Sequence, residues 1–371
     1  MLFDILIAVA ALYALVILLM TASVALGRWG SDRSYRPAVS IIIAARNEES
    51  NIAACLDSVD ALTYPAALTE VIVVDDQSTD RTGVIIEEYV RRNPHFRLLP
   101  AKPSTGRLHG KVNAIAQGME IARGEVVLFT DADCVVPTSW VEDTVKYYAD
   151  RKVGLVAGFT LLEGSTVFAR MQALDWFALF SVASAAARIG APLTAVGTNL
   201  TVRRKAYQDV GGYEHIPFSV TEDYALFHAI AAGTANKVRF PMDPGTLVTS
   251  APCHTWAELY HQKKRWFRGG RGMDLKSLLV FAVAYALNLL LLVAPFVVSS
   301  PYLWVPYALK VGVDFLLPLP SLALFRQWRV LVSFPLYEIY YFLYVLLYPP
   351  LVEFGGKIVW KERSYGRGSV G

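Results

Sequence analysis

Long apolar stretches occupy the two ends of the chain, and a segment of mixed character separates them. Leu2 to Leu26 has one acidic group, Asp4, at its edge and no basic one. As a helix it would rise roughly 37 Å, more than the roughly 30 Å hydrocarbon core of a bilayer. A cleaved leader is the rival reading, since Ala22-Ser-Val-Ala25 looks like a cleavage site. The absent basic start and the length of the run disfavour it. Leu278 to Val298 is a second apolar run, flanked by Lys276 and ended by the turn Ser299-Ser-Pro301. Tyr302 to Phe325 is a third, with Lys310 and Asp314 inside it at a spacing that lets them pair on one helix face. In the fourth, Phe334 to Phe354, Pro335, Glu338 and Pro349-Pro350 are expected to break the run. That leaves a clean apolar core of roughly 16 Å, about half a bilayer.

Basic flanks suggest the sidedness. Arg28, Arg33 and Arg36 follow the first run and put the middle of the chain in the cytoplasm. Arg326, Arg329 and the tail residues Lys357, Lys361, Arg363 and Arg367 also favour that side. Four full crossings would put the tail outside, so 334–354 is read as re-entrant or interfacial.

Between about Ser31 and Gly270 the pattern changes to short alternating elements. Val39 to Ala45 reads as a buried strand, and Ile52, Cys55, Leu56 and Val59 recur at helical spacing. Glu70 to Val74 is a second strand, followed by a polar turn and a helix through Glu87. Val112, Ile115, Ala116 and Met119 mark another helix, with Gly124 expected at its C′ position. Glu125 to Thr130 is a further strand. Strands apolar on both faces, alternating with helices, predict an α/β domain with a mostly parallel sheet covered on both sides. In such sheets ligands bind beyond the carboxyl ends of the strands, where the polar clusters of this chain fall. The expected organisation is an anchor at 1–27, the α/β domain at 31–255 and an amphipathic interfacial helix at 256–275. Membrane segments at 276–355 and a basic tail at 356–371 complete it.

Composition sharpens this picture. Over 371 residues, 54% are hydrophobic and 18% charged, which excludes a disordered chain and argues against a wholly soluble one. A formal net charge of +3 is too slight to suggest a nucleic-acid partner. The three cysteines, Cys55, Cys134 and Cys253, are far apart and form neither a disulfide framework nor a zinc site. Nothing in the pattern sets an oligomeric state.

Asp131-Ala-Asp133 ends the strand 125–130. If the extended geometry continues, both carboxylates point to one side, where they could hold Mg²⁺ or Mn²⁺ beside a diphosphate. A strand-end turn or helix cap is the plainer reading of such a pair. Asp75-Asp76-Gln77-Ser78 ends the strand 70–74 in the same way and could accept from a nucleotide base, or else be a turn with Thr79 or Asp80 capping the next helix. Thr221-Glu222-Asp223 follows Gly211-Gly212-Tyr213; a carboxylate there could be a general base, or part of an acidic first turn capped by Thr221. Gln262-Lys-Lys-Arg265-Trp266 shares a helix with Trp256, Leu259 and Tyr260. Arg265 could bridge phosphate oxygens and Trp266 could wall a sugar, or the helix could rest on anionic headgroups. Gly106 to Lys111 is one residue short of a P-loop and has Val112 where Ser or Thr is needed. Cys253, His254 and His261 lack metal-site spacing.

Taken in order, N-E, D-D-x-S, D-A-D, T-E-D and Q-x-x-R-W from Val39 to Gly270 resemble the membrane-bound family 2 glycosyltransferases. The resemblance implies a GT-A fold (Rossmann-like, mostly parallel sheet) with N- and C-terminal transmembrane helices. It also implies a nucleotide-diphosphate sugar donor, usually a UDP-sugar, and inverting transfer. Carried over by motif, Glu48, Asp76 and Asp75 would contact the nucleoside. Asp131 and Asp133 would hold nucleotide and metal, Asp223 would be the base, and Glu222 would stand with it at the substrate. Lys111 would lie near the phosphates, and Gln262, Arg265 and Trp266 would bind the diphosphate and the acceptor end. Asn199, in Gly197-Thr-Asn-Leu, would shape the acceptor pocket. Arg46 stands where many relatives have tyrosine. The tail Trp360-Lys-Glu-Arg-Ser-Tyr365 resembles a W-K-G-R-x-Y ending of ceramide-glucosyltransferase-like members, with Glu362 in place of the glycine. The expected activity is transfer of one sugar to a membrane lipid at the cytoplasmic face of a cell membrane. Polysaccharide synthesis and a catalytically silent membrane scaffold are the alternatives.

Overall fold

The computed structural model describes residues 1–104, 106–270, 275–354, 358–360 and 363–365. In chain order the elements are α1 (Leu2–Leu26), β1 (Val39–Ala45), α2 (Ile52–Asp60), β2 (Thr69–Asp75), α3 (Thr82–Arg92), β3 (Phe96–Pro100), α4 (Lys111–Ile121) and β4 (Val126–Asp131). There follow α5 (Trp140–Val145), β5 (Val153–Ala157), β6 (Thr160–Leu162), α6 (Val167–Arg188), β7 (Leu200–Arg203), α7 (Arg204–Asp209), α8 (Gly212–His215), α9 (Glu222–Gly233), β8 (Lys237–Arg239) and β9 (Val248–Ser250). The last are α10 (Trp256–Gly269), α11 (Leu275–Val297), α12 (Trp304–Leu316), α13 (Leu319–Leu324) and α14 (Phe334–Phe354). They divide into two units. A sheet unit spans 28–161 and 194–251, and a helical unit takes 1–27, 162–193 and the described residues between Pro252 and Tyr365.

In the sheet unit, seven strands lie in the order β3-β2-β1-β4-β7-β5-β8. All run parallel except β7, which is antiparallel to both neighbours. β1 lies inside the sheet between β2 and β4, and its Val-Ser-Ile-Ile-Ile run is buried on both faces. Ile41 and Ile43 join a core with α2 and α5, while Ile42 lies against Gly118 of α4. Each such side chain stabilises the fold by about 1.5–3 kcal/mol through burial. The chain runs from β1 outward to β2 and β3, then returns past β1 to β4. That reversal opens a crevice at the carboxyl ends of β1 and β4. The register sets Asp75 opposite Ala45 and Asp131 opposite Ala44, so the strand-end carboxylates flank the end of β1.

Two local expectations differ from the structure here. Gly124 is not a C′ residue: α4 ends at Ile121, with Ala122 in an extended conformation. Glycine is needed at 124 because a Cβ there would stand 2.4 Å from the Ser40 amide nitrogen, too close for any side chain. The extended geometry also stops at Asp131. The Cys134 N–H donates to the Asp131 carbonyl at 3.0 Å, closing a turn that contains Asp133.

Among the described residues, the helical unit contains four helical stretches long and apolar enough to cross a membrane: Leu2–Leu26, Ser277–Val297, Trp304–Leu324 and Trp328–Pro350. The residues expected to break the last one leave α14 continuous. Pro335 falls in its first turn, where a missing N–H costs nothing. Glu338 pairs with Lys310, which also reaches Asp314 at 2.8 Å, and the Tyr13 hydroxyl donates to Asp314 at 2.5 Å. Pro349 and Pro350 lie inside the helix near its end. Pro295 in α11 deprives the Leu291 carbonyl of its helical donor, and the Tyr307 hydroxyl supplies a replacement. α10 is capped by Thr255, whose hydroxyl accepts from the Glu258 N–H. Its Lys263, Lys264 and Arg268 are buried. Lys263 pairs with Asp175 of α6 and stands 4.4 Å from the centre of the Trp266 ring. Ile358–Trp360 and Arg363–Tyr365 pair antiparallel. Of the tail residues singled out in the sequence, Lys357, Lys361, Glu362 and Arg367 lie outside the described residues.

Candidate active site

The end of β1 and the turn after β2 are tied into one piece. Asn47 and Gln77 both adopt positive φ, 51° and 60°, a conformation that asparagine tolerates well and that β-branched residues do not. The Asn47 side-chain oxygen accepts from the Thr79 N–H at 2.9 Å, and the Asn47 N–H donates to Ser78 Oγ at 3.1 Å. The Glu48 N–H donates to Thr82 Oγ1 at 2.8 Å, and Asp80 accepts from the Glu49 and Thr82 amides. Arg46 donates to the Asp76 carbonyl at 2.8 Å. Glu48 and Asp76 are buried in this knot. Asp75 accepts from the Ser78 N–H at 3.0 Å, so it serves the turn. Helix α3 takes Arg81 at its N-cap, and Asp80 supports its start.

A second cluster lies at the carboxyl end of β4. Gly110 precedes α4 with φ 60° and ψ −135°, a conformation open essentially to glycine alone, and so sets Lys111 as the first helical residue. Lys111 Nζ lies 2.5 Å from Asp131 and 2.8 Å from Glu222 at the start of α9. Burial pulls the ammonium down, but the two carboxylates together more than offset it and hold its pKa above the ordinary value. Asp223 follows; its Oδ2 accepts from the Gly197 N–H at 2.7 Å and its Oδ1 from the Tyr224 N–H at 2.8 Å. Burial, then the neighbouring Glu222, push its pKa up to about 6, against the opposing pull of Lys111 and the two amides. Thr221 stands at the N-cap of α9, but its hydroxyl bonds Ser219 rather than the helix.

These groups line a cleft of about 300 Å³, counting its space open to solvent. Lys111, Asp131, Glu222 and Asp223 form its polar side; Ile42, Ile115, Phe129, Leu200 and Tyr213 form its apolar side. In the sequence, Ile42 and Phe129 lie in runs read as buried strands and Ile115 at helical spacing, whereas Leu200 and Tyr213 give no sign of their own that they line the cleft.

Beneath the turn, burial raises the Cys55 thiol, with Asp133, Asp131 and Glu48 adding to the shift. The Cys55 thiol also lies 3.5 Å from the Asp131 carbonyl, to which it donates. The Cys134 thiol donates to Asp133 at 3.6 Å.

Asn199 is not among the residues lining the cleft. It is fully buried, donating to the carbonyls of Phe159 at 2.9 Å and Thr246 at 2.7 Å, and accepting from Trp140 Nε1 at 3.0 Å. These three bonds engage both ends of its amide just ahead of β7. Gln262, Arg265 and Trp266 stand on α10 of the helical unit, where Trp266 packs against Trp176 at 5.5 Å between ring centres.

The acidic excess and hard oxygen donors suit Mg²⁺ or Mn²⁺ rather than a softer ion. Among the described residues, no three His, Cys, Asp or Glu side chains are grouped to hold an ion by themselves. Such a set fits a cation that takes one or two carboxylates and completes its shell with substrate phosphates.

Comparison with known proteins agrees with this architecture. Residues 40–211 match the model of glycosyl transferase family 2, and residues 126–354 match that of glycosyl transferase family group 2. The chain is 27% identical over 63% of its length to a beta-monoglucosyldiacylglycerol synthase of Nostoc sp., covering 49% of that protein. It is 26% identical over 67% of its length to a poly-beta-1,6-N-acetyl-D-glucosamine synthase of Staphylococcus epidermidis, covering 58% of it. The chain thus spans about half the length of these curated relatives. A mannosyltransferase from Pyrobaculum calidifontis, solved with GDP-Man and Mn²⁺, superposes with a TM-score of 0.60 at 20% identity, covering 92% of this chain and 99% of that one. That likeness is one of fold. With family models covering most of the chain, a GT-A sheet and acidic strand ends around a basic helix start, the chain belongs to the family 2 glycosyl transferases.

Proposed function

We propose that the protein transfers one sugar from a nucleoside-diphosphate sugar, a UDP-sugar in the first instance, to the hydroxyl of a membrane lipid, with inversion at the anomeric carbon. The observation that carries this reading is Asp223. It shares a cleft with Lys111, Asp131 and Glu222, and its carboxyl is held near neutrality, where it can take up a proton during turnover. In the proposed reaction the acceptor oxygen attacks as its proton passes to Asp223 Oδ1 or Oδ2. The Gly197 and Tyr224 amides keep that carboxylate oriented. Lys111 balances negative charge on the departing diphosphate, and Asp76 with Glu48 forms the nucleoside end. Asp131 and Asp133 would hold a divalent cation, whose positive charge favours departure of the diphosphate.

The four candidate spans support a lipid acceptor, because enzyme and lipid then share a bilayer. So does the diacylglycerol lipid in the name of the Nostoc relative. The staphylococcal relative is named for a polymer and supports the second reading, repeated addition to a growing polysaccharide. Purified full-length protein with lipid extract and radiolabelled UDP-sugars separates the two. Label in a discrete chloroform-soluble species supports single transfer. Ethanol-insoluble label replaces it with polymer synthesis, and no label with any nucleotide sugar leaves the silent scaffold.

A further inference from the structure

Lys111 already occupies the carboxylate that a metal would need. Its ammonium bridges Asp131 at 2.5 Å and Glu222 at 2.8 Å, at a helix start fixed by Gly110. A divalent ion approaching Asp131 meets a cation in contact with the same carboxylate, and like charges this close in a half-buried cleft repel strongly. A diphosphate changes the balance by giving the ammonium a second anion to pair with. Lysine suits such an exchange, being a point charge on a flexible stem with rotatable donors. Since no described cluster can hold an ion alone, the missing metal ligands would come from the same diphosphate.

We propose that Lys111 is an internal counter-ion that keeps a divalent cation off Asp131 until a nucleoside diphosphate enters and draws the ammonium to its phosphates. Metal and donor then bind as a pair. This rests on the nucleotide-sugar reading above, and it adds an order to the binding.

The test is Mn²⁺ binding to the full-length chain in detergent micelles, read from the paramagnetic resonance of free Mn²⁺, without nucleotide and with UDP. In the wild type, UDP is expected to tighten Mn²⁺ binding by about tenfold or more, within the usual range of coupling between sites. Lys111→Met is expected to tighten nucleotide-free Mn²⁺ binding several-fold and to shrink the gain from UDP; Lys111→Arg, which keeps the charge, stays weak without nucleotide. Lys111→Gln, which retains a polar contact with Asp131, repeats the measurement should the methionine variant fail to fold. Nucleotide-free binding that is unchanged or weaker in both neutral variants overturns the counter-ion role, even where UDP promotes Mn²⁺ uptake. A wild type that takes up no Mn²⁺ with UDP or with GDP removes the metal-dependent nucleotide-sugar reading as well.

Discussion

Two lysines each bridge a pair of carboxylates, one in each unit, and they lead different lives. Lys111 joins Asp131 to Glu222 at the end of a strand, its side chain 19% exposed and lining an open cleft. Lys310 joins Asp314 to Glu338 with its side chain 2% exposed, and Tyr13 closes the group from α1. The first cluster is built where a ligand can enter and rearrange it. The second fastens α1, α12 and α14, and nothing can replace its partners without opening the helices. Similar ion triads thus serve exchange in one unit and attachment in the other, and solvent access decides between the roles.

The largest effect expected from breaking the cleft side is on rate. Asp223→Asn removes the proposed base and should lower kcat by about 10²–10⁴-fold, with melting temperature little changed, in the labelled-sugar assay. Breaking the other side should show in stability. Lys310→Met leaves two carboxylates buried with no cation and should cost about 3–5 kcal/mol, read from thermal unfolding in detergent, while activity per folded molecule persists. Asn199→Ala tests whether a residue near the cleft in sequence belongs to it in function. It should lose about 2–3 kcal/mol by orphaning buried carbonyls and the Trp140 N–H, with donor KM unchanged. The mildest probe is pH. Asp223 sits above the ordinary carboxylate range at about 6, so its proton-accepting form is lost as pH falls through that value. The kcat/KM should then drop roughly tenfold per unit below it, and a flat profile from neutral to mildly acid pH excludes Asp223 as the base.

Local pattern revealed much of this architecture. β1, β2, β4 and the helices after them follow from short apolar runs and periodic spacing, and the acidic strand ends follow from the rule that such sheets bind at their carboxyl edges. What escaped depends on partners far away in the chain. β7 is four residues whose antiparallel place between β4 and β5 no local signal announces. α14 looked interrupted because Glu338 reads as a charge in an apolar run until Lys310 neutralises it. The partners of the Asn199 amide, Phe159, Thr246 and Trp140, lie far from it in the chain, so no local motif announces them. Glu222 and Asp131 were singled out separately, and their shared contact with Lys111 has no signal in the local pattern.

The knot between the turns after β1 and β2 has a consequence for how such a protein can change. Strand-end loops are ordinarily where a fold absorbs insertions. Here Asn47, Glu48 and Glu49 are bonded to Ser78, Thr79, Asp80 and Thr82, so lengthening one turn strips the other of its partners. Innovation at the nucleoside end would have to come through paired changes, whereas Gly106, with no neighbour within 4 Å of its Cβ position, sits on a connection with room to drift.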